Sequence, residues 1–153
     1  MPEGSPNTPW SAARAAEIIA EGRATAGALL PLLHALQDEF GHVPDEAVPL
    51  LAAELNLSRA EVHGVLTFYH DFRRTPARGR LVKLCRAEAC QARGGRTAEA
   101  YLSAALRENA GVTLEAVYCL GLCASGPAAL VDGRPVARLQ GERLTRLVQD
   151  LAS

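Results

Sequence analysis

Four cysteines carry the chemistry of this sequence, and they are all the cysteines among its 153 residues. Cys85 and Cys90 form a C-x4-C pair, and Cys119 and Cys123 form a C-x3-C pair. Four thiolates are the ligand set of a [2Fe–2S] cluster, but four cysteines also hold structural zinc. The function of the chain therefore depends on which group these two pairs bind.

The spacing of the cysteines favours the cluster over zinc. Four-cysteine zinc sites usually contain tight C-x2-C knuckles, and neither pair has that spacing. Four unligated structural cysteines are the third possibility. A disulfide is disfavoured because residues 1–9 lack the basic and then apolar order of a signal peptide, and cytosolic thiols stay reduced.

Glycines and arginines surround the cysteines, and their roles stay open. The glycines could let backbone N–H groups approach the sulfurs, which tunes a cluster, or could be ordinary loop residues. The arginines could offset the negative charge of a thiolate-ligated cluster, or could be exposed cations. These residues are Gly94, Gly95, Gly121 and Gly126, with Arg86, Arg93 and Arg96.

The second half of the chain predicts a small sheet that positions the cysteines. Strands are expected over LVKLC and VTLEAVYC, with a helix over TAEAYLSAALRENAG between them. Asp132-Gly133 separates two apolar runs, which indicates a hairpin, and a helix follows from Gly141 to Leu151. The order β-α-β-β-β-α predicts a thioredoxin-like α/β domain. In each pair we expect one cysteine to end a strand and the other to lie in the loop beyond.

The first half predicts a bundle of amphipathic helices. Thr8 is expected to cap the first helix, Asp45 the third, and Ser58 with Glu61 forms a capping box for the fourth. The second helix carries an apolar stripe that ends before Gly41.

The predicted fold class is α+β, in four segments of sequence. These are a flexible arm over residues 1–9, a helical bundle over 10–72, a linker over 73–80 and a thioredoxin-like domain over 81–153. The linker, RRTPARGR, contains four arginines, a proline and a glycine.

Two segments around the cysteines, LCRAEACQARGG and VYCLGLCASGPAALVDGR, resemble a known family. They are similar to the gamma subunit of molybdenum-containing, NAD-dependent formate dehydrogenases. More broadly they resemble the thioredoxin-like [2Fe–2S] subunits of complex I and of NAD-reducing hydrogenases. The helical segment from LLHALQDEFG to VLTFYHDF looks like the N-terminal domain of the same family.

The resemblance implies a cofactor, a ligand set and two partners. It implies a [2Fe–2S] cluster on Cys85, Cys90, Cys119 and Cys123, which exchanges single electrons with a flavin- and NAD-binding subunit. Formate oxidation would then occur on a large molybdenum-containing subunit. The alternative is the equivalent small subunit of a complex I-type NADH dehydrogenase or of a NAD-reducing hydrogenase.

The sequence predicts no catalytic centre on this chain alone. It contains no Gly-rich dinucleotide fingerprint and no P-loop. The histidines, all in the helical half, are expected to be surface or packing residues rather than ligands: His34, His42, His63 and His70. We therefore expect an oxidoreductase subunit rather than a complete enzyme.

Other functional classes fit less well. The segment LLAAELNLSRAEVHGVLTFY resembles helix-turn-helix, but its second helix is too apolar to contact bases, and the net charge of −1 does not favour nucleic acid. A thiol-disulfide oxidoreductase would need C-x-x-C, which is absent. No apolar run approaches the length of a bilayer, so a cytoplasmic protein is expected.

Overall fold

The computed structural model describes residues 8–107, 109 and 111–152. The chain divides into two compact units, with the boundary between Ala77 and Arg78. The first unit is helical, and the second contains a four-stranded sheet with helices. The predicted α+β fold class is therefore confirmed.

The first unit consists of four helices around one apolar core. They are α1 (Ala12–Gly22), α2 (Leu29–Phe40), α3 (Ala47–Leu55) and α4 (Arg59–Phe68). The predicted stripe of α2 is confirmed, because Leu33, Leu36 and Phe40 are fully buried in this core. Burial of each such side chain contributes about 1.5–3 kcal/mol. No helix in the described part of the chain is long and apolar enough to cross a membrane.

The ends of the first two helices follow the sequence, but the predicted start of α1 is wrong. Gly22 ends α1, and Gly41 ends α2 in the left-handed conformation that glycine adopts without strain. The N-cap of α1 is Ser11 rather than Thr8, because the Ser11 hydroxyl accepts a hydrogen bond from the Arg14 N–H at 3.3 Å.

The predicted cap of α3 is also wrong. Glu46 occupies the N-cap position and makes no capping hydrogen bond with its side chain. Asp45 instead accepts a hydrogen bond from the Arg74 guanidinium, with Nε at 3.0 Å from Oδ1. This bond holds the pKa of Asp45 below its usual value. The Asp45 carboxylate thus pairs with an arginine 29 residues away in sequence, and the N-cap position of α3 belongs to Glu46.

The second unit contains four strands, three helices and one short turn of 3-10 helix among the described residues. In chain order these are β1 (Arg80–Cys85), α5 (Glu88–Ala92), α6 (Gly95–Ala105), β2 (Val112–Val117), the 3-10 turn (Cys123–Ser125), β3 (Ala128–Val131), β4 (Arg134–Ala137) and α7 (Gly141–Ala152). The strand β1 begins one residue before the predicted domain over 81–153. The short helix α5 was not expected from the sequence.

The sheet has the strand order β2-β1-β3-β4. The strands β1 and β2 are parallel, and the other two neighbouring pairs are antiparallel. The predicted hairpin between β3 and β4 is confirmed, since Asp132 and Gly133 both have positive φ, at 49° and 79°. The Asp132 carboxylate also accepts a hydrogen bond from the Leu81 N–H at 2.8 Å, which joins the turn to β1.

The capping box of α4 allows a direct test of the local folding argument. The Ser58 hydroxyl accepts from the Glu61 N–H at 3.1 Å, and the Glu61 carboxylate accepts from the Ser58 N–H at 2.8 Å. We predict that Ser58→Ala lowers the free energy of unfolding by about 1 kcal/mol, because one helix N–H loses its acceptor. Ser58→Thr is the matched control and should retain most of that stability in urea denaturation followed by circular dichroism.

The same box predicts a dependence on pH. The Ser58 N–H bond holds the pKa of Glu61 below its ordinary value of 4.5. The stabilisation is therefore complete above the ordinary pKa and is lost as the pH falls through the lowered one. The stability difference between the wild type and Glu61→Gln should shrink over that interval, and a difference that grew in acid would contradict the capping role.

Candidate functional site

The sheet brings the two cysteine pairs together at one edge, where the parallel strands β1 and β2 end. Cys85 is the last residue of β1, and its partner in the parallel strand β2 is Val117. The Arg86 N–H donates to the Val117 carbonyl at 2.8 Å, which continues the pairing beyond the strand end. Cys119 follows two residues later. The expectation that both cysteine segments meet at the same edge of the sheet is therefore confirmed.

The first pair is buried. Cys85 and Cys90 are 2% and 1% exposed, and each thiol perturbs the pKa of the other. They pack in a small apolar cluster with Ala128, against which Leu120 and Leu122 also lie. The expectation that Cys90 lies in a loop is wrong, because the residue belongs to α5.

The second pair is nearer to solvent. Cys119 is exposed and Cys123 is half-buried, and their sulfur atoms are 3.9 Å apart. The expectation that Cys119 ends a strand is wrong, because β2 ends at Val117. Cys119 has a φ of 87°, in the left-handed region that non-glycine residues rarely adopt. The Gly121 N–H points back to the Cys119 sulfur at 3.4 Å.

Backbone hydrogen bonds and mutual repulsion perturb the thiols. Burial opposes ionisation of Cys85, but N–H donors that include those of Ala87 and Leu120, together with the Cys90 thiol, outweigh it and lower its pKa. Burial, reinforced by neighbouring Cys85, raises the pKa of Cys90. Hydrogen bonding and repulsion from Cys119 raise the pKa of Cys123. A cationic group that binds these sulfurs would relieve the repulsion and displace the remaining protons.

The donor set fits a cluster that contains two irons. The four thiols lie in two pairs, and the sulfur atoms of Cys119 and Cys123 are 3.9 Å apart. A [2Fe–2S] cluster takes four thiolates, two on each of its irons. All four cysteines are free of disulfides.

Gly126 lies against Cys90 of the buried pair. A Cβ atom at this position would lie 3.1 Å from the Cys90 Sγ, which is closer than ordinary van der Waals contact, and 3.4 Å from its Cα. Its φ of −64° is open to any residue, so the constraint on this position is one of space rather than of backbone conformation.

Sequence reasoning missed the groups that cover the buried sulfurs. The N–H donors to Cys85 belong to Ala87 and Leu120 among others, and main-chain donors leave no trace in residue type. The apolar side chains of Leu120 and Leu122 alternate around Gly121, and this alternation was the available signal. His34 packs against the Phe72 ring at 4.8 Å, a packing role that agrees with the expectation for the histidines.

Comparison with known proteins decides the family. The sequence model of the thioredoxin-like [2Fe-2S] ferredoxin family matches residues 15–152. The chain belongs to this family. Its cofactor is therefore a [2Fe–2S] cluster, and the thioredoxin-like fold predicted for the second unit is confirmed. Membership of this family favours the cluster over structural zinc and over four unligated cysteines.

The named relatives are subunits of NAD-linked complexes. The E subunit of NADH-quinone oxidoreductase from Escherichia coli (strain K12) is 30% identical over 129 residues, which cover 80% of this chain and 78% of that protein. The alpha subunit of the NAD-reducing hydrogenase HoxS from Cupriavidus necator is 28% identical over 130 residues, or 80% of this chain and 22% of the hydrogenase protein.

A solved structure shows the same fold. The NAD+-reducing [NiFe]-hydrogenase in its H2-reduced state aligns with a TM-score of 0.65 and 25% identity over 80% of this chain. The matched part is 22% of the hydrogenase chain. The predicted resemblance to complex I and hydrogenase subunits is thus confirmed, while these relatives do not assign the chain to formate dehydrogenase.

Proposed function

We propose that this chain is the electron-transfer subunit of a NAD-linked oxidoreductase, and that it exchanges single electrons with a flavin- and NAD-binding subunit. The observation that carries the proposal is the meeting of two cysteine pairs at one edge of a thioredoxin-like sheet. In a family whose members carry a [2Fe–2S] cluster, this edge is the place for the cofactor.

The proposed ligands are the same four residues that the sequence singles out: Cys85, Cys90, Cys119 and Cys123. When bound, the cluster supplies one-electron transfer, which the side chains of a protein perform poorly. The residues of the chain do the rest. Ala128, Leu120 and Leu122 exclude water from the buried pair, and backbone N–H groups direct hydrogen bonds at the sulfurs.

The site is closed on one side and open on the other. Cys85 and Cys90 are buried, while Cys119 and its neighbour Tyr118 are exposed. Electron exchange requires close approach of the partner cofactor. We therefore assign the side of Cys119 as the side that faces the flavin-binding subunit.

The relatives favour a complex of the complex I or NAD-reducing hydrogenase type over a formate dehydrogenase. The narrower candidate is the gamma subunit of a formate dehydrogenase, with a large molybdenum-containing subunit as the second partner. It is kept because the segment RAEACQARGG after β1 resembles that subunit. A cytoplasmic location fits either candidate, since four unpaired thiols persist in a reducing compartment.

The ligand assignment predicts the effect of four single substitutions. Serine at any one of the four cysteines should lower iron and sulfide content and destabilise the sheet unit, because the cluster joins two segments of chain. Ala124→Ser is the matched control: it adds a hydroxyl between Cys123 and Ser125, at an exposed position, without removing a sulfur. A cysteine variant that kept the wild-type absorption spectrum and melting temperature would not be a ligand.

The functional assignment predicts a partner and an activity. A tagged chain purified anaerobically from its own cell should bring down a flavin- and NAD-binding subunit. One of three reactions of that complex should then identify the parent enzyme: NAD reduction by hydrogen, NAD reduction by formate, or NADH oxidation with a quinone as acceptor. The chain alone should reduce no NAD, because it lacks a nucleotide-binding motif. Cluster-loaded chain that purifies with no flavoprotein would contradict the proposal.

A further inference from the structure

Arg93 lies beside the segment that covers the buried sulfur of Cys90. It follows α5 directly, and its Nε donates a hydrogen bond to the Gly126 carbonyl at 3.4 Å. The carbonyl of Arg93 itself accepts a hydrogen bond from the Gln140 side chain. The main chain and the side chain of Arg93 are thus held by two different segments.

The space around Gly126 shows how near Arg93 is to the sulfur. A Cβ atom built on Gly126 would lie 3.1 Å from the Cys90 Sγ and 3.5 Å from the Arg93 Cδ. Both atoms are therefore within 3.5 Å of a single point, and the guanidinium group begins one bond beyond Cδ. A positive charge stands close to a buried sulfur of the proposed ligand set.

The three arginines near the cysteines differ in how their charges are compensated. Arg86 pairs with the carboxylate of Glu99. Arg96 donates to the neutral side chain of Gln91 at 2.9 Å. Arg93 donates to a neutral carbonyl, and within the described part of the chain it forms no ion pair. That carbonyl belongs to Gly126, which approaches the Cys90 sulfur, so the charge of Arg93 lies against the segment that contacts a sulfur.

We propose that Arg93 raises the reduction potential of the cluster. The inference rests on the proposed function, since it takes the four cysteines as ligands. When a reduced flavin, or a chemical reductant in a titration, gives up one electron, no bond breaks and the cluster with its thiolates gains one negative charge. A nearby cation stabilises that added charge and favours the reduced form. Cys90 is buried while Arg93 is exposed, so added salt screens this interaction in part.

A potentiometric titration of the full chain, followed by electron paramagnetic resonance, tests the proposal. Arg93→Gln removes the charge, and Arg93→Lys keeps it without the planar group. Arg107→Gln is the matched control: it makes the same change in net charge at an exposed position beyond the far end of α6. Eleven residues of helix place it about 16 Å along the axis from Gly95. Iron and sulfide are measured for every variant.

The expected result is a midpoint potential that becomes more negative in Arg93→Gln, stays near the wild-type value in Arg93→Lys and does not move in Arg107→Gln. The difference in midpoint potential between the wild type and Arg93→Gln should narrow as the salt concentration is raised, because a charge effect is screened and a packing effect is not.

If the Arg93→Gln chain does not bind the cluster, Arg93→Met keeps the apolar part of the side chain at Gly126 and serves the same test. An unchanged potential in a fully loaded charge-removing variant, or equal shifts in Lys and Gln, overturns the inference. A wild-type chain that binds no iron or sulfide would instead refute the proposed function.

Discussion

Parallel pairing of β1 with β2 is the interaction on which the site depends. It places Cys85 opposite Val117, so that the segment with Cys119 and Cys123 leaves the sheet beside the segment with Cys90. The pairing continues beyond the strands, because Arg86 still donates to the Val117 carbonyl. A one-residue shift of this register would reverse the side on which each following residue points and would separate the pairs.

The thiols that this pairing assembles oppose one another. Burial, and after it the neighbouring Cys85, raises the pKa of Cys90, whereas hydrogen bonding and repulsion from Cys119 raise the pKa of Cys123. Burial disfavours the thiolate of Cys85, but nearby backbone N–H groups outweigh that effect and lower its pKa. The fold thus prepares the site with hydrogen bonds but leaves its repulsion to be relieved by the cofactor, which couples cluster binding to stability.

The elements that the sequence predicted correctly are those encoded by local chemistry. Asp132-Gly133 predicts its hairpin because both residues adopt positive φ at low cost, and the Ser58–Glu61 box predicts the start of α4. The Thr8 cap failed because Ser11, three residues on, supplies an equivalent hydroxyl nearer the apolar stripe. The helix α5 has only five residues, which is too short for periodicity to show.

The site was predicted as a set of residues but not as a geometry. Four cysteines in two pairs indicate the proposed ligands by type, whereas the left-handed backbone of Cys119 and the approach of Gly126 to Cys90 arise from tertiary packing. The parent complex is encoded less directly still. Subunits of an NADH-quinone oxidoreductase and of a NAD-reducing hydrogenase each match 80% of the chain, so the cysteine pattern alone does not select the parent complex.

The central claim is that one [2Fe–2S] cluster is held by four cysteine thiolates at this edge. Mössbauer spectroscopy of the intact chain, enriched in iron-57 and purified without oxygen, tests it most directly when combined with iron and sulfide analysis. We expect iron and acid-labile sulfide in equal amounts, about two of each per chain, with both irons in tetrahedral sulfur coordination. Zinc without sulfide, or a single iron with nitrogen or oxygen ligands, would contradict it.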